Sequence, residues 1–171
     1  QFLSPSAFPA CRRPTFLPAV LLTCQSLLFL CCPPAMAYVD PASGKPSPAR
    51  VLRGFDAPEQ KWSPGHRGVD MALSVGSPVV AAEDGEVAFV GTVAGKPVVS
   101  IDHADGVRTT YQPVHGSVKQ GQKVREGQVI GRLGNPVDGY PGLHWGALIA
   151  KDTYIDPLTL LDMPAIRLKP L

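Results

Sequence analysis

From Val51 onward the sequence is cut at short, regular intervals by turn-forming dipeptides: Asp84-Gly85, Ala94-Gly95, Asp105-Gly106, Glu126-Gly127 and Asn135-Pro136. Between them lie short runs rich in Val and Ile: Val79–Ala82, Glu86–Gly91, Val98–His103, Val107–Gln112, Gln128–Leu133 and Leu143–Ile149. Gly and Pro at such spacing end any helix before its third turn, whereas short strands tolerate them at their ends. The pattern predicts an all-β sandwich or barrel. The 19 Pro and 17 Gly of the 171 residues fit that class and exclude a helical bundle or coiled coil. Only Asp156–Leu161, with Pro157 placed as at a first helical position, predicts a short terminal turn of helix.

The first 37 residues are of another kind. They hold no Gly and no acidic residue, and their only charges are Arg12 and Arg13. An apolar stretch from Phe16 to Cys32 follows, then Pro33-Pro34 and Ala35-Met36-Ala37. A basic start, an apolar middle and an Ala-x-Ala end predict a secretory signal peptide cleaved after Ala37. An uncleaved anchor is the competing reading. The stretch is short for a span of about 20 apolar residues and is interrupted by Pro18, Thr23 and Gln25. The expected organisation is a signal over 1–37, a Pro-rich linker or leading strand over 38–50, and one domain over 51–171.

All four Cys (11, 24, 31 and 32) fall inside the leading segment. Its removal would leave a secreted domain with no disulfide, no thiolate nucleophile and no Cys-based metal site. It would also remove two of the 16 Lys and Arg, leaving 14 against 14 acidic residues. Neither that balance nor the whole-chain charge of +2 provides the basic stripe that nucleic acid requires.

Metal and acid–base chemistry therefore fall to four His and the carboxylates. His66 and Asp70 stand four apart in Pro64-Gly65-His66-Arg67-Gly68-Val69-Asp70, where the glycines favour a loop entering a strand. An exposed His and a turn Asp is the plain alternative for such a pair. His144, in Gly142-Leu143-His144-Trp145-Gly146, should face opposite to Leu143 and Trp145 if that run is a strand. Together the three form a two-His, one-carboxylate set, which suits a zinc ion with one coordination position left open. His103, beside the Asp105-Gly106 turn, reads as a structural or surface residue. In an extended Tyr111–His115 segment, Tyr111, Pro113 and His115 would share one face, so His115 could approach a site lined by Tyr111.

In this order, these pieces resemble the lysostaphin/LytM-type zinc metallopeptidases, which cut the peptide part of peptidoglycan. HRGVD (66–70) resembles the first metal motif, and PVVAAEDGEVAFVG (78–91) and IDHADGVRTTY (101–111) resemble the central strands. VKQGQKVREGQVIGRLG (118–134) is similar to the long hairpin, LHWG (143–146) to the second half of the His-x-His motif, and IDPLTLL (155–161) to the usual ending. The resemblance implies an all-β fold around a twisted antiparallel sheet, a barrel-sandwich hybrid, with zinc held by His66, Asp70 and His144. It also marks two departures. The first His of His-x-His is replaced by Gly142, and the His expected two residues after the Tyr is replaced by Pro113.

Two readings of function follow. In one, the domain is a secreted zinc endopeptidase acting on peptidoglycan peptides, with Tyr111 or His115 donating to the oxyanion. In the other, it is a non-catalytic zinc-holding module that binds the cell wall or activates another cell-wall hydrolase. A membrane is a partner only if residues 1–37 are retained. A biotinyl- or lipoyl-type carrier has similar hairpins but needs a Lys at the tip, and Arg125-Glu126-Gly127 offers none.

Overall fold

Ala94 and Gly95 both have positive φ (48° and 81°), the conformation a two-residue hairpin turn demands. They join Gly85–Val93 (β4) to Lys96–His103 (β5), paired antiparallel from Val93↔Lys96 to Gly85↔His103. The computed structural model describes residues 38–161, apart from 59, 61, 62 and 138. The segment expected as a signal peptide, 1–37, lies outside the described residues.

The remaining strands are Val51–Arg53 (β1), Val69–Met71 (β2), Pro78–Val80 (β3), Arg108–Gln112 (β6), Val114–Gly116 (β7), Lys123–Val124 (β8), Val129–Leu133 (β9), Leu143–Ala150 (β10) and Thr153–Ile155 (β11). The larger sheet runs β1-β2-β10-β6-β5-β4-β8, with β11 also on β10, and the smaller runs β3-β9-β7. Every strand pair is antiparallel. The fold is the expected all-β one, with open sheets in place of a closed barrel. The six apolar runs read from the sequence all carry strands. β1, β2, β7, β8 and β11 have only two or three residues each, too few for any periodicity to reveal them. The terminal turn is a 3₁₀ helix over Pro157–Leu160, capped by the Asp156 side chain, which accepts from the Leu158 N–H.

The core is filled from alternate strand positions. Val69 and Met71 on β2, Leu143, Trp145 and Ala147 on β10, and Tyr111 on β6 are fully buried. Each large side chain so buried contributes about 1.5–3 kcal/mol. The strict alternation leaves the positions between them on the other face of the sheet.

Residues 38–50, read as a linker or leading strand, are bonded to the domain at several points. Tyr38 is buried edge-on to His103, its hydroxyl donating to the Asp105 carboxylate at 2.9 Å. The Val39 N–H donates to the Ala82 carbonyl, and the Val80 N–H donates to the Pro41 carbonyl. Asp40, wholly buried, accepts from the backbone N–H groups of Ala42 and Ala49. One anchoring aromatic and one carboxylate that satisfies a loop's backbone donors bind this polar segment to the fold.

Candidate metal centre

Four adjacent strands place four side chains in one transverse row. Arg53 on β1 pairs with Asp70 on β2, Asp70 with His144 on β10, and His144 with Gln112 on β6. Directly paired residues point to the same face, so the row lies opposite the core face of Val69, Trp145 and Tyr111. His66, just before β2, completes the group from a loop held by reciprocal backbone hydrogen bonds between His66 and Asp56.

Three donor atoms converge there. His66 Nε2 lies 3.1 Å from Asp70 Oδ1 and 3.1 Å from His144 Nδ1, and His144 Nδ1 lies 2.9 Å from Asp70 Oδ1. His66 and Asp70 are buried, and His144 is partly open. Burial pushes the Asp70 carboxyl pKa up, but the His144 hydrogen bond and the neighbouring imidazoles outweigh it and hold the group below its ordinary range. Asp70 is therefore an ionised acceptor.

The tautomer of His66 tests whether a metal fits. Its Nδ1 lies 2.7 Å from the Gly54 carbonyl oxygen, which can only accept, so Nδ1 carries the proton. A neutral His66 then aims the Nε2 lone pair at the Asp70 carboxylate, lone pair against lone pair. A cation between them removes the conflict. Bonds of about 2.0–2.1 Å to a tetrahedral zinc put donor atoms about 3.3 Å apart, close to the observed triangle. At such sites a ligand His usually donates its other nitrogen's proton to a carboxylate or backbone carbonyl, which fixes the ring. The three residues fit a divalent ion.

Gly68 permits the approach of His144. A Cβ at this position would lie 2.5 Å from the Trp145 carbonyl oxygen and 2.8 Å from the His144 ring. The ligands open into a pocket of about 220 Å³, also lined by Arg53, Arg67, Lys96, Gln112, Pro113, Tyr140 and Gly142.

The other two candidates lie elsewhere. The Tyr111 hydroxyl faces the core, hydrogen-bonded to Thr109 Oγ1 at 2.9 Å and accepting from the Ala82 N–H at 3.1 Å. Burial pushes its pKa up to about 12. His115 is exposed on β7 in the smaller sheet, its ring over Gly134, and does not line the pocket. The shared face expected of Tyr111, Pro113 and His115 does not form, because the chain leaves the larger sheet at Gln112 and enters the smaller one at Val114. His103 is structural: buried, with Nδ1 donating to the Asp84 carbonyl and Nε2 2.7 Å from Thr109 Oγ1. Sequence reasoning missed Arg53, Gln112 and Tyr140, which line the pocket, and Gly54, which holds the His66 ring, because these contacts are long-range and have no local signature.

The chain is 46% identical over 165 residues to Uncharacterized protein Rv2891 of Mycobacterium tuberculosis, a match covering 90% of this chain and 64% of that relative's length. Its fold resembles the catalytic domain of the antimicrobial peptidase lysostaphin from Staphylococcus simulans, with TM-score 0.59, 26% identity, and coverage of 67% of this chain and 93% of that one. It also resembles a chain from the SpoIIQ–SpoIIIAH pore forming complex, with TM-score 0.61, 25% identity, and coverage of 76% and 94%. The profile of Peptidase family M23 matches residues 64–157, which include His66, Asp70 and His144 and take in more than half of the sequence. The chain belongs to Peptidase family M23, the lysostaphin-type metallopeptidases.

Proposed function

We propose that this protein is an extracytoplasmic zinc-holding peptidase domain that acts slowly on the peptide part of peptidoglycan. The observation that carries the reading is the convergence of His66 Nε2, Asp70 Oδ1 and His144 Nδ1 at the floor of an open pocket. His66, Asp70 and His144 would hold the ion, with the Gly54 carbonyl fixing the His66 ring. Zinc, when bound, supplies Lewis-acid polarisation of a carbonyl and lowers the pKa of water to about 7. The basic start, apolar stretch and Ala-x-Ala end of residues 1–37 support export.

The slow rate follows from the two departures. Pro113 and Gly142 line the pocket where the lysostaphin-type pattern has imidazoles, and neither side chain can carry a proton. Loss of one general base costs roughly 10²–10⁴ in rate. Two losses within one catalytic unit do not simply multiply. Gln112, in the row beside His144, can hydrogen-bond a peptide but cannot act as a base. Proton transfer is left to solvent or substrate.

The same observation favours a second reading, in which the pocket grips wall peptides or a partner hydrolase without cutting. The SpoIIQ–SpoIIIAH structure, in which a similar chain is part of a protein complex, supports it. The test is incubation of the zinc-loaded full chain with purified peptidoglycan. The proposed activity predicts slow, chelator-sensitive release of new amino groups that His144→Ala abolishes. Co-sedimentation with the wall and no release would establish the second reading, and equal release by His144→Ala would remove the zinc site from the chemistry.

A further inference from the structure

The ligand row continues past the metal centre to a residue that metal binding does not use. Arg53 is the register partner of Asp70 across an irregularity in β1, and it lines the pocket beside the carboxylate. It is half-buried, and its guanidinium carbon lies 4.6 Å from the centre of the Tyr140 ring, which also lines the pocket. Stacking of this kind restricts a long side chain to one direction. Arg67 and Lys96 line the same pocket, where Asp70 is the only acidic group among the described lining residues.

From this arrangement we infer that the pocket selects peptides carrying a free carboxylate beside the bond presented to the metal centre, with Arg53 as the group that binds it. The inference rests on the reading of the pocket as a peptide site and narrows it to acidic peptides. A guanidinium presents paired N–H donors that match the two oxygens of a carboxylate, and charge-assisted pairs of this kind exceed neutral hydrogen bonds in strength. A neutral, glycine-rich strand offers Arg53 no such partner. Desolvating Arg53 against it would cost binding.

The experiment is calorimetric titration of the zinc-loaded full chain with Nα,Nε-diacetyl-Lys-D-Ala-D-Ala as the free acid and as its C-terminal amide. The free acid should bind at least roughly tenfold more tightly, as one charge-assisted contact implies. Arg53→Ala should bring the two within about twofold while zinc content stays at that of the wild type. Arg53→Lys, which keeps the charge without the fork, should retain part of the preference. Equal binding of acid and amide by the wild type overturns the inference and leaves the peptide reading intact. Undiminished preference in Arg53→Ala also overturns it, because the ion alone would then be the carboxylate's partner. Binding of neither peptide overturns both readings.

Discussion

The Gly54 carbonyl oxygen and Nδ1 of His66, 2.7 Å apart, decide which nitrogen of His66 faces Asp70 and His144. The contact ties β1 to the metal loop and leaves Nε2 as a lone-pair donor 3.1 Å from both Asp70 Oδ1 and His144 Nδ1. His66→Ala should therefore reduce zinc from about one ion per chain to background. The loss in affinity should exceed the roughly 10–100-fold that follows removal of an outer-shell partner. His103→Ala, which removes an imidazole from the core and not from the site, should keep the ion. Elemental analysis of both purified proteins checks this, and full zinc content in His66→Ala would refute the ligand assignment.

Gly68→Ala should damage the site without touching a ligand. The added methyl would sit 2.5 Å from the Trp145 carbonyl oxygen, which is backbone and cannot yield cheaply, and 2.8 Å from the His144 ring. Overpacking of this order costs about 1–3 kcal/mol. The expected result is a lower melting temperature together with weaker zinc binding, because relief of the clash moves His144. A variant that melts like the wild type and holds zinc equally well would show that the approach is less tight than described.

Tyr111→Phe separates the two roles considered for that residue. Its hydroxyl is hydrogen-bonded to Thr109 and accepts from the Ala82 N–H in a fully buried position. Removing it strands these buried partners, at about 1–3 kcal/mol. Stability should fall, while zinc content and any peptide release per folded molecule stay unchanged. A selective loss of release with no change in melting temperature would return Tyr111 to the chemistry.

The readable and unreadable parts of the molecule differ in what kind of contact they depend on. His66, Asp70 and His144 could be named in advance because the chemistry admits few residue types, and the chain has only four His. The strands around Val87, Ile101 and Trp145 could be read because alternation and turn residues are local. Arg53 could not, since its place follows from pairing with Asp70 across a strand boundary, a contact with no imprint on its neighbours. Tyr111 and His115 were grouped by assuming that alternation continues through Pro113, and it stops where the chain changes sheets. Tyr38 and Asp40 were hidden by the polar residues around them. Composition reports the average of a segment, while one buried ring and one buried carboxylate hold it in place.

His103 should make stability depend on pH in a window set by its burial. Desolvation lowers its pKa below 6.5, against the opposing pull of the Asp84 carbonyl and of Asp105, Glu83 and Asp102. Above pH 6.5 the residue is neutral whether folded or unfolded and contributes no slope. As pH falls below 6.5, the unfolded chain takes up a proton that the folded chain refuses, so stability is lost on acidification. In His103→Gln this part of the loss should vanish. Melting curves of both proteins, with chelator present throughout, should converge as pH drops from about 7 to 5. Parallel curves over that range would show that His103 titrates alike in both states.

Gly142→His is the substitution that would restore the imidazole of the lysostaphin-type pattern, and here it should fail. Gly142 has φ +99°, a conformation L side chains rarely adopt, and a Cβ there would lie 2.1 Å from the Met71 carbonyl oxygen. Met71 pairs with Leu143 at the start of β10, so the clash falls on the strand pairing that carries Asp70 and His144 one residue further along. Strain of this backbone kind costs about 1–3 kcal/mol before the steric overlap is counted. The expected outcome is a less stable protein with reduced zinc content and no gain in peptide release. The backbone around Gly142 is thus fitted to glycine, beyond a change of one side chain. A Gly142→His variant that melts at the wild-type temperature and releases amino groups from peptidoglycan faster would overturn that conclusion.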